Sequence, residues 1–465
     1  MVRNTGFTPE DLIRSVVDQC TDCEQCREML DGVCPFFGEL YCLFDRERQG
    51  KGLISSRDLR SLVDLCNFCG LCPCPDIRSR ILSAKSNFIA REGVSVSVKL
   101  VQDVERLAGY LTRFPGMGKY LAKAKTGSGI LKKMTGIHPE RKLPEIPGCD
   151  FPAWASEQGL CVEKEGQKKQ RSVAFFAGCT ARYFFPGVGR AAVRVLQKNR
   201  IDVFYLSQKC CSMPVLLEGD FSFALKLMQF NLEHLGQALE KGYDLVTSCP
   251  TCGYMFKKIL KEKAYYSKEY QEMAGADSQF LMVPETDNCQ SWPSQRKYRR
   301  LHRSMYAGIL KDDGVFSPLP ALKRIWIGEN VMDMGEYLGM LYRSGRLDTG
   351  FSPVPKRIAY FPPCHVREQN IGQPYVELLK MIPELEVQVA DGAYLCCGMA
   401  GIMGFKKSFH AKSLLMGNPL FLKILEIEPD ILVTDCLSCR LQFDQVLPFV
   451  QAHPLEIMAE AYKRL

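Results

Sequence analysis

From residue 171 onward, apolar positions switch back and forth between two spacings. VAFFA (173–177) is a short apolar run, GVGRAAVRVLQKN (187–199) repeats its apolar residues at helical intervals, and IDVFYL (201–206) returns to a strand-like run. A long helical stretch, FSFALKLMQFNLEHLGQALEK (221–241), and a further strand, YDLVTS (243–248), complete the unit. The order then starts again with RIAYF (357–361), PYVELLKMI (374–382), LEVQVA (385–390), a helix through FHAKSLLMGNPLFLKILE (409–426) and DILVT (430–434). Strands and helices alternating at these lengths predict parallel α/β layers. Residues 98–170 predict helix and then linker, because Pro139, Pro144, Pro147 and Pro152 interrupt regular structure in the second half.

Cysteines mark the same repeat. Cys179, the pair Cys210-Cys211 and the pair Cys249/Cys252 recur as Cys364, Cys396-Cys397 and Cys436/Cys439. The flanks agree too: SVAFFAGC matches RIAYFPPC, and YDLVTSCPTC matches PDILVTDCLSC. Every one of these cysteines falls at the carboxyl end of a predicted strand or in the loop after it, where open α/β sheets place ligands. Adjacent cysteines acting together need a turned backbone, which Gly398 supplies in copy two, whereas Ser212 stands there in copy one. Each CxxC precedes a helical stretch whose N-terminal dipole favours thiolate. Five thiolates per copy exceed the four that a cubane cluster or a zinc site requires; a redox dithiol is the other reading.

Near the N-terminus, CTDCEQCREMLDGVCP and CNFCGLCPCP each carry CxxCxxC and a Cys-Pro. Three thiolates three residues apart wrap one corner of a cubane cluster, and the cysteine before proline ligates the other cluster of a two-cluster ferredoxin. The expected sets are Cys20, Cys23, Cys26 with Cys74, and Cys66, Cys69, Cys72 with Cys34. Spacing departs from the usual pattern: seven residues separate Cys26 from Cys34, and only Pro73 separates Cys72 from Cys74. Cys42 reads as a buried structural thiol, and Cys149, Cys161 and Cys289 match no spacing. The chain of 465 residues holds 22 cysteines, too few per residue and in too long a chain for a secreted disulfide scaffold. With Glu10 and Asp11 and no apolar run of signal-peptide length near the start, reduced thiols in the cytoplasm are expected.

These motifs resemble the CCG (cysteine-rich) domain family of iron-sulfur subunits, found with glycerol-3-phosphate and 2-hydroxy-acid dehydrogenases and with heterodisulfide reductases. The resemblance spans residues 15 to 90 and 171 to 465. It implies an α-helical ferredoxin domain (1–97) with two cubane [4Fe-4S] clusters, a basic amphipathic helix and linker (98–170), and tandem α/β parallel-sheet CCG domains (171–345 and 346–465). Up to two non-cubane [4Fe-4S] clusters are implied, one on Cys179, Cys210, Cys211, Cys249 and Cys252, the other on Cys364, Cys396, Cys397, Cys436 and Cys439. The implied function is electron transfer in an anaerobic multi-subunit oxidoreductase, from a flavoprotein dehydrogenase to a quinone or another membrane acceptor. The alternative is catalytic disulfide cleavage at a non-cubane cluster, as in heterodisulfide reductase.

Charge adds little: +8 from 60 basic and 52 acidic residues, spread over the chain, gives no reason to expect a nucleic-acid partner. No Walker loop, GxGxxG or HExxH is present. Residues 98–136 carry Lys99, Arg106, Arg113, Lys119, Lys123, Lys125, Lys132 and Lys133, with Leu107, Tyr110, Leu111, Phe114, Tyr120 and Leu121 at helical spacing. Such a segment lies peripherally on the inner face of the cell membrane or packs on its own domains with a solvated basic face. His365 beside Cys364 reads as a loop histidine bonded to backbone, and Lys406 and Lys407 as charge near a cluster or a solvated helix start.

Overall fold

The computed structural model describes residues 8–113, 129, 132–163, 171–285, 297–306, 309–392 and 394–463. Its N-terminal part is helical: α1 (Pro9–Cys23), α2 (Gln25–Met29), α3 (Pro35–Arg48), α4 (Ser56–Val63) and α5 (Pro75–Glu92). Capping boxes start two of them, Thr8 with Asp11 before α1 and Ser55 with Asp58 before α4. Cys34 and Cys74 are the N-caps of α3 and α5, and the proline after each takes the first helical position, where its missing N–H costs nothing. Ile13, Val16, Leu40, Leu62 and Phe88 are fully buried between these helices.

Two short helices follow, α6 (Val96–Gln102) and α7 (Val104–Arg113). Of the residues that make 98–136 basic and amphipathic, Phe114, Lys119, Tyr120, Leu121, Lys123 and Lys125 lie outside the described residues. Residues 135–146 form a strap laid against the second half of the molecule. His138 N–H donates to the Phe405 carbonyl (2.7 Å), and Lys407 N–H to that of Gly136 (3.1 Å). No helix among the described residues is long and apolar enough to cross a membrane.

The repeat folds as two parallel four-stranded sheets. The first is built from β1 (Ser172–Phe176), β2 (Asp202–Phe204), β3 (Asp244–Thr247) and β6 (Val331–Asp333), in the order β2-β1-β3-β6. An antiparallel ribbon of β4 (Phe280–Pro284) and β5 (Tyr298–His302) is inserted before its last strand. The second sheet is built from β7 (Lys356–Tyr360), β8 (Leu385–Val389), β9 (Ile431–Val433) and β10 (Val450–Ala452), in the order β8-β7-β9-β10. Matched strand by strand, the two orders are identical. Val173, Ala174, Phe175 and Phe176 are all buried, as expected of a central parallel strand covered on both faces.

The halves are joined reciprocally. The helix Pro454–Lys463, which follows β10, packs on Pro186–Lys198 of the first half; Met334–Arg343, which follows β6, packs on Pro374–Lys380 of the second. One apolar core runs through the junction, with Phe175, Val188 and Leu338 from the first half meeting Ile358 and Leu455 from the second.

Candidate functional site

In copy one, Cys179 lies in the short helix Gly178–Tyr183 after β1, Cys210 and Cys211 lie in the loop after β2, and Cys249 caps the helix Pro250–Tyr254 that contains Cys252. Copy two repeats this: Cys364 follows β7, Cys396 and Cys397 follow β8, and Cys436 caps the helix Leu437–Val446 that contains Cys439. Because β2, β1 and β3 are adjacent and parallel, as are β8, β7 and β9, their carboxyl ends bring each five-cysteine set to one rim.

Local backbone makes the crowding feasible. Gly178 has φ +75°, and a Cβ there would stand 3.0 Å from Cys252 Sγ. Gly398 has φ +78°, and a Cβ would run into the Ser413 carbonyl oxygen. Ser212 takes the same turn at φ +79°, and its buried hydroxyl donates to the Ala224 carbonyl (3.0 Å). The serine therefore preserves the turn that follows the cysteine pair. Asn231 holds that loop from below: its side chain accepts from Lys209 N–H (2.8 Å) and donates to the carbonyls of Lys209 (3.2 Å) and Cys210 (3.1 Å). Gln208 ties it to the Cys179 segment by accepting from Gly178 N–H (3.1 Å) and donating to the Phe175 carbonyl (3.2 Å).

Every described cysteine is a free thiol. Cys210 Sγ lies 3.7 Å from Cys179 Sγ, Cys211 is hydrogen-bonded to Cys210 and Cys252, and Cys397 to Cys396 and Cys439. Hydrogen bonds from the neighbouring thiols Cys210 and Cys252 bring Cys211 down to about 6, and Cys364 lowers Cys396. Cys179 and Cys439 are pushed up, first by hydrogen bonding to a neighbouring sulfur and then by burial. Five sulfurs crowded this closely cannot all ionise without a multivalent cation among them. The donor set therefore fits a polynuclear iron-sulfur group bound through thiolates.

The N-terminal cysteines separate into two groups. Cys20 has Cys26, Cys74 and Cys23 as electrostatic neighbours, whereas Cys72 has Cys66 and Cys34. Cys69 has Cys34 and Cys72 beside it. Pro73 and the start of α5 thus send Cys72 and Cys74 to different groups, despite the single residue between them. Burial pushes Cys20, Cys34 and Cys72 up to about 12, so these sites also call for a compensating cation. Cys42 is exposed on α3, which corrects the reading of it as a buried thiol. Cys149 is half-buried and Cys161 exposed; Cys289 lies outside the described residues.

Residues 173–257 and 358–444 each match the model of the CCG cysteine-rich domain family. The chain carries two CCG domains. It is homologous to an iron-sulfur relative, a component of the anaerobic glycerol-3-phosphate dehydrogenase of Escherichia coli (strain K12), with 28% identity over 334 residues, 71% of this chain and 68% of the relative. A component of the fumarate reductase (CoM/CoB) of Methanothermobacter marburgensis is 26% identical over 290 residues, 62% of this chain and 44% of that one. Lactate utilization protein A of Shouchella clausii is 28% identical over 119 residues, 24% of this chain and 48% of the relative.

The two CCG domains turn their cysteines toward each other. A cavity of about 70 Å³ between them is lined by every cysteine of the two sets except Cys210, and by Cys69 from the N-terminal part. Cys69 packs with Cys364, Cys396 and Met416, so the second CxxCxxC loop touches the second CCG domain directly. An ion pair between Arg78 and Glu368 (2.6 Å) fastens the contact. His365 joins three parts of the chain: its Nε2–H donates to the Phe68 carbonyl (3.3 Å), its Nδ1 accepts from the Thr251 hydroxyl (2.9 Å), and its ring stacks on Tyr254. Burial lowers its pKa and keeps it neutral.

Sequence reasoning did not single out Arg141. Fully buried on the strap, it donates to Gln442 Oε1 (2.6 Å) and lies within electrostatic reach of Cys397; desolvation lowers its pKa to about 10. Nothing in the local sequence marks it, because its partners are some 300 positions away in the chain. Lys406 forms an ion pair with buried Glu218, so its charge is already matched, contrary to both sequence readings.

Proposed function

We propose that the chain is the electron-transfer component of a multi-subunit oxidoreductase, taking electrons from a flavoprotein dehydrogenase of the glycerol-3-phosphate or 2-hydroxy-acid type and delivering them to a quinone or another acceptor. The observation that carries this reading is the continuity of cysteines from the N-terminal groups through Cys69 to Cys364 and Cys396, and across one cavity to Cys179 and Cys252. Cys20, Cys23, Cys26 and Cys74 would hold one cubane cluster, and Cys34, Cys66, Cys69 and Cys72 the other. The two five-cysteine sets would hold non-cubane clusters. Such clusters supply one-electron transfer when bound. The chain's residues do the rest: helix N-termini at Cys436 and Cys249 favour thiolate, Gln208 and Asn231 fix the cysteine loops, and neutral His365 holds the N-terminal part against both CCG domains.

Homology to components of dehydrogenase and reductase complexes supports a partner flavoprotein. On this reading the chain works at the cytoplasmic face of the membrane, with residues 98–136 as the docking segment. The purified chain alone should not oxidise glycerol 3-phosphate or lactate, whereas its chromophores should be reduced when the flavoprotein partner and substrate are added. Substrate turnover by the chain alone would overturn the proposal. The cavity shared by both cysteine sets favours a second reading, disulfide cleavage between the CCG domains, which turnover of low-molecular-weight disulfides by the reduced chain would support.

A further inference from the structure

A second cavity, of about 130 Å³, lies against the outer side of the cysteine cavity. Its inner wall is shared with that cavity through Cys179, Thr180, Gly401 and Ser438. Val104 and Leu107 of α7 and Ile137 of the strap close it from outside, and Phe184, Ile402 and Phe405 complete the apolar wall. Among the described residues, no charged side chain lines it. Leu107, which the sequence places on the apolar face of 98–136, therefore turns inward and helps to build a pocket over the junction of the CCG domains.

We infer that this cavity binds the ring of a lipophilic quinone. Three features select that ligand class. An apolar cavity of about 150 Å³ admits a benzene ring, so the space suits one six-membered ring. The hydroxyls of Thr180 and Ser438 stand on the wall shared with the cysteines, where quinone carbonyls find donors, while the opposite wall offers only apolar contact to a methylated ring and isoprenoid chain. An acyl chain would leave those hydroxyls facing hydrocarbon, a cost that a quinone carbonyl removes. Finally, the ring would lie beside Cys179 of one set and the Ser438 position between Cys436 and Cys439 of the other. The inference rests on the electron-transfer reading for its meaning, because it places the acceptor, but binding itself requires no electron donor.

The test is equilibrium dialysis of the full chain, purified anaerobically and kept oxidised, against a benzoquinone with one isoprene unit, whose fully substituted ring resists thiol addition. Saturable binding of one quinone per chain is expected, with decanoate unable to displace it. Leu107→Trp fills the cavity from α7 and should weaken binding about tenfold or more, equivalent to about 1.4 kcal/mol, while iron content and the EPR spectrum stay unchanged. If that variant loses iron, Leu441→Trp fills the cavity from the opposite wall and must show the same loss. Absent saturable binding, binding indifferent to filling, or full displacement by decanoate overturns the inference. Because no reductant is present, such a failure leaves the electron-transfer reading untouched; that reading fails instead if the chain proves to hold no iron.

Discussion

Gly398 and Ser212 show how a single position admits two solutions. Both have φ near +78°, but only in copy two does the following helix come close enough for its Ser413 carbonyl to exclude a Cβ. Gly398→Ala should therefore cost about 2–4 kcal/mol through overpacking and left-handed strain, and should empty the second cysteine set first, read as partial loss of iron with a lowered melting temperature. His453 is a second residue with a measurable consequence. Its Nε2 faces the Ser248 carbonyl (3.2 Å), and burial lowers its pKa to about 3. A histidine held neutral in the fold is protonated in the unfolded chain below about 6.5, so its contribution favours folding above that pH and is lost as pH falls toward 3. Buried Asp333, raised to about 7, acts in the opposite direction. Comparing the wild type with His453→Gln separates the two: the stability difference should change by about 1.5–2 kcal/mol between pH 6.5 and about 5, and parallel melting curves across that range would refute it.

At the scale of elements, hydrophobic period located β1, β2, β3, β7, β8 and β9 and the long helices Phe221–Glu240 and His410–Ile427, because each has enough apolar residues to display its spacing. It missed β6 and β10, which are three residues long and gain their place by pairing with β3 and β9. The cysteine groupings were legible because ligand spacing is local, while the contact of Cys69 with Cys396 depends on tertiary packing that no local motif encodes. That contact is itself testable. Arg78 and Glu368 are mostly buried, so Arg78→Met leaves a carboxylate without its partner and should cost about 2 kcal/mol or more, seen as faster hydrogen exchange in α5 and around residue 368. Unchanged exchange there would show that the ion pair does not hold the docking loop.

For the whole molecule, repeat and symmetry organise function. Two sheets of identical order exchange their last helices and turn their cysteine rims into one cavity, and the N-terminal helices present Cys69 at its edge. Composition indicated metal-binding thiols, but only the fold brings the two five-cysteine sets face to face and encloses an apolar space beside them under the strap and α7. Electron transfer through this chain requires that all four cysteine groups hold iron-sulfur clusters. The decisive measurement is iron and acid-labile sulfide determination on anaerobically purified chain, with EPR of the same sample. About sixteen irons per chain with two unlike classes of cluster signal is the expected result; stoichiometric zinc without sulfide, or about eight irons with a single class of signal, would refute it.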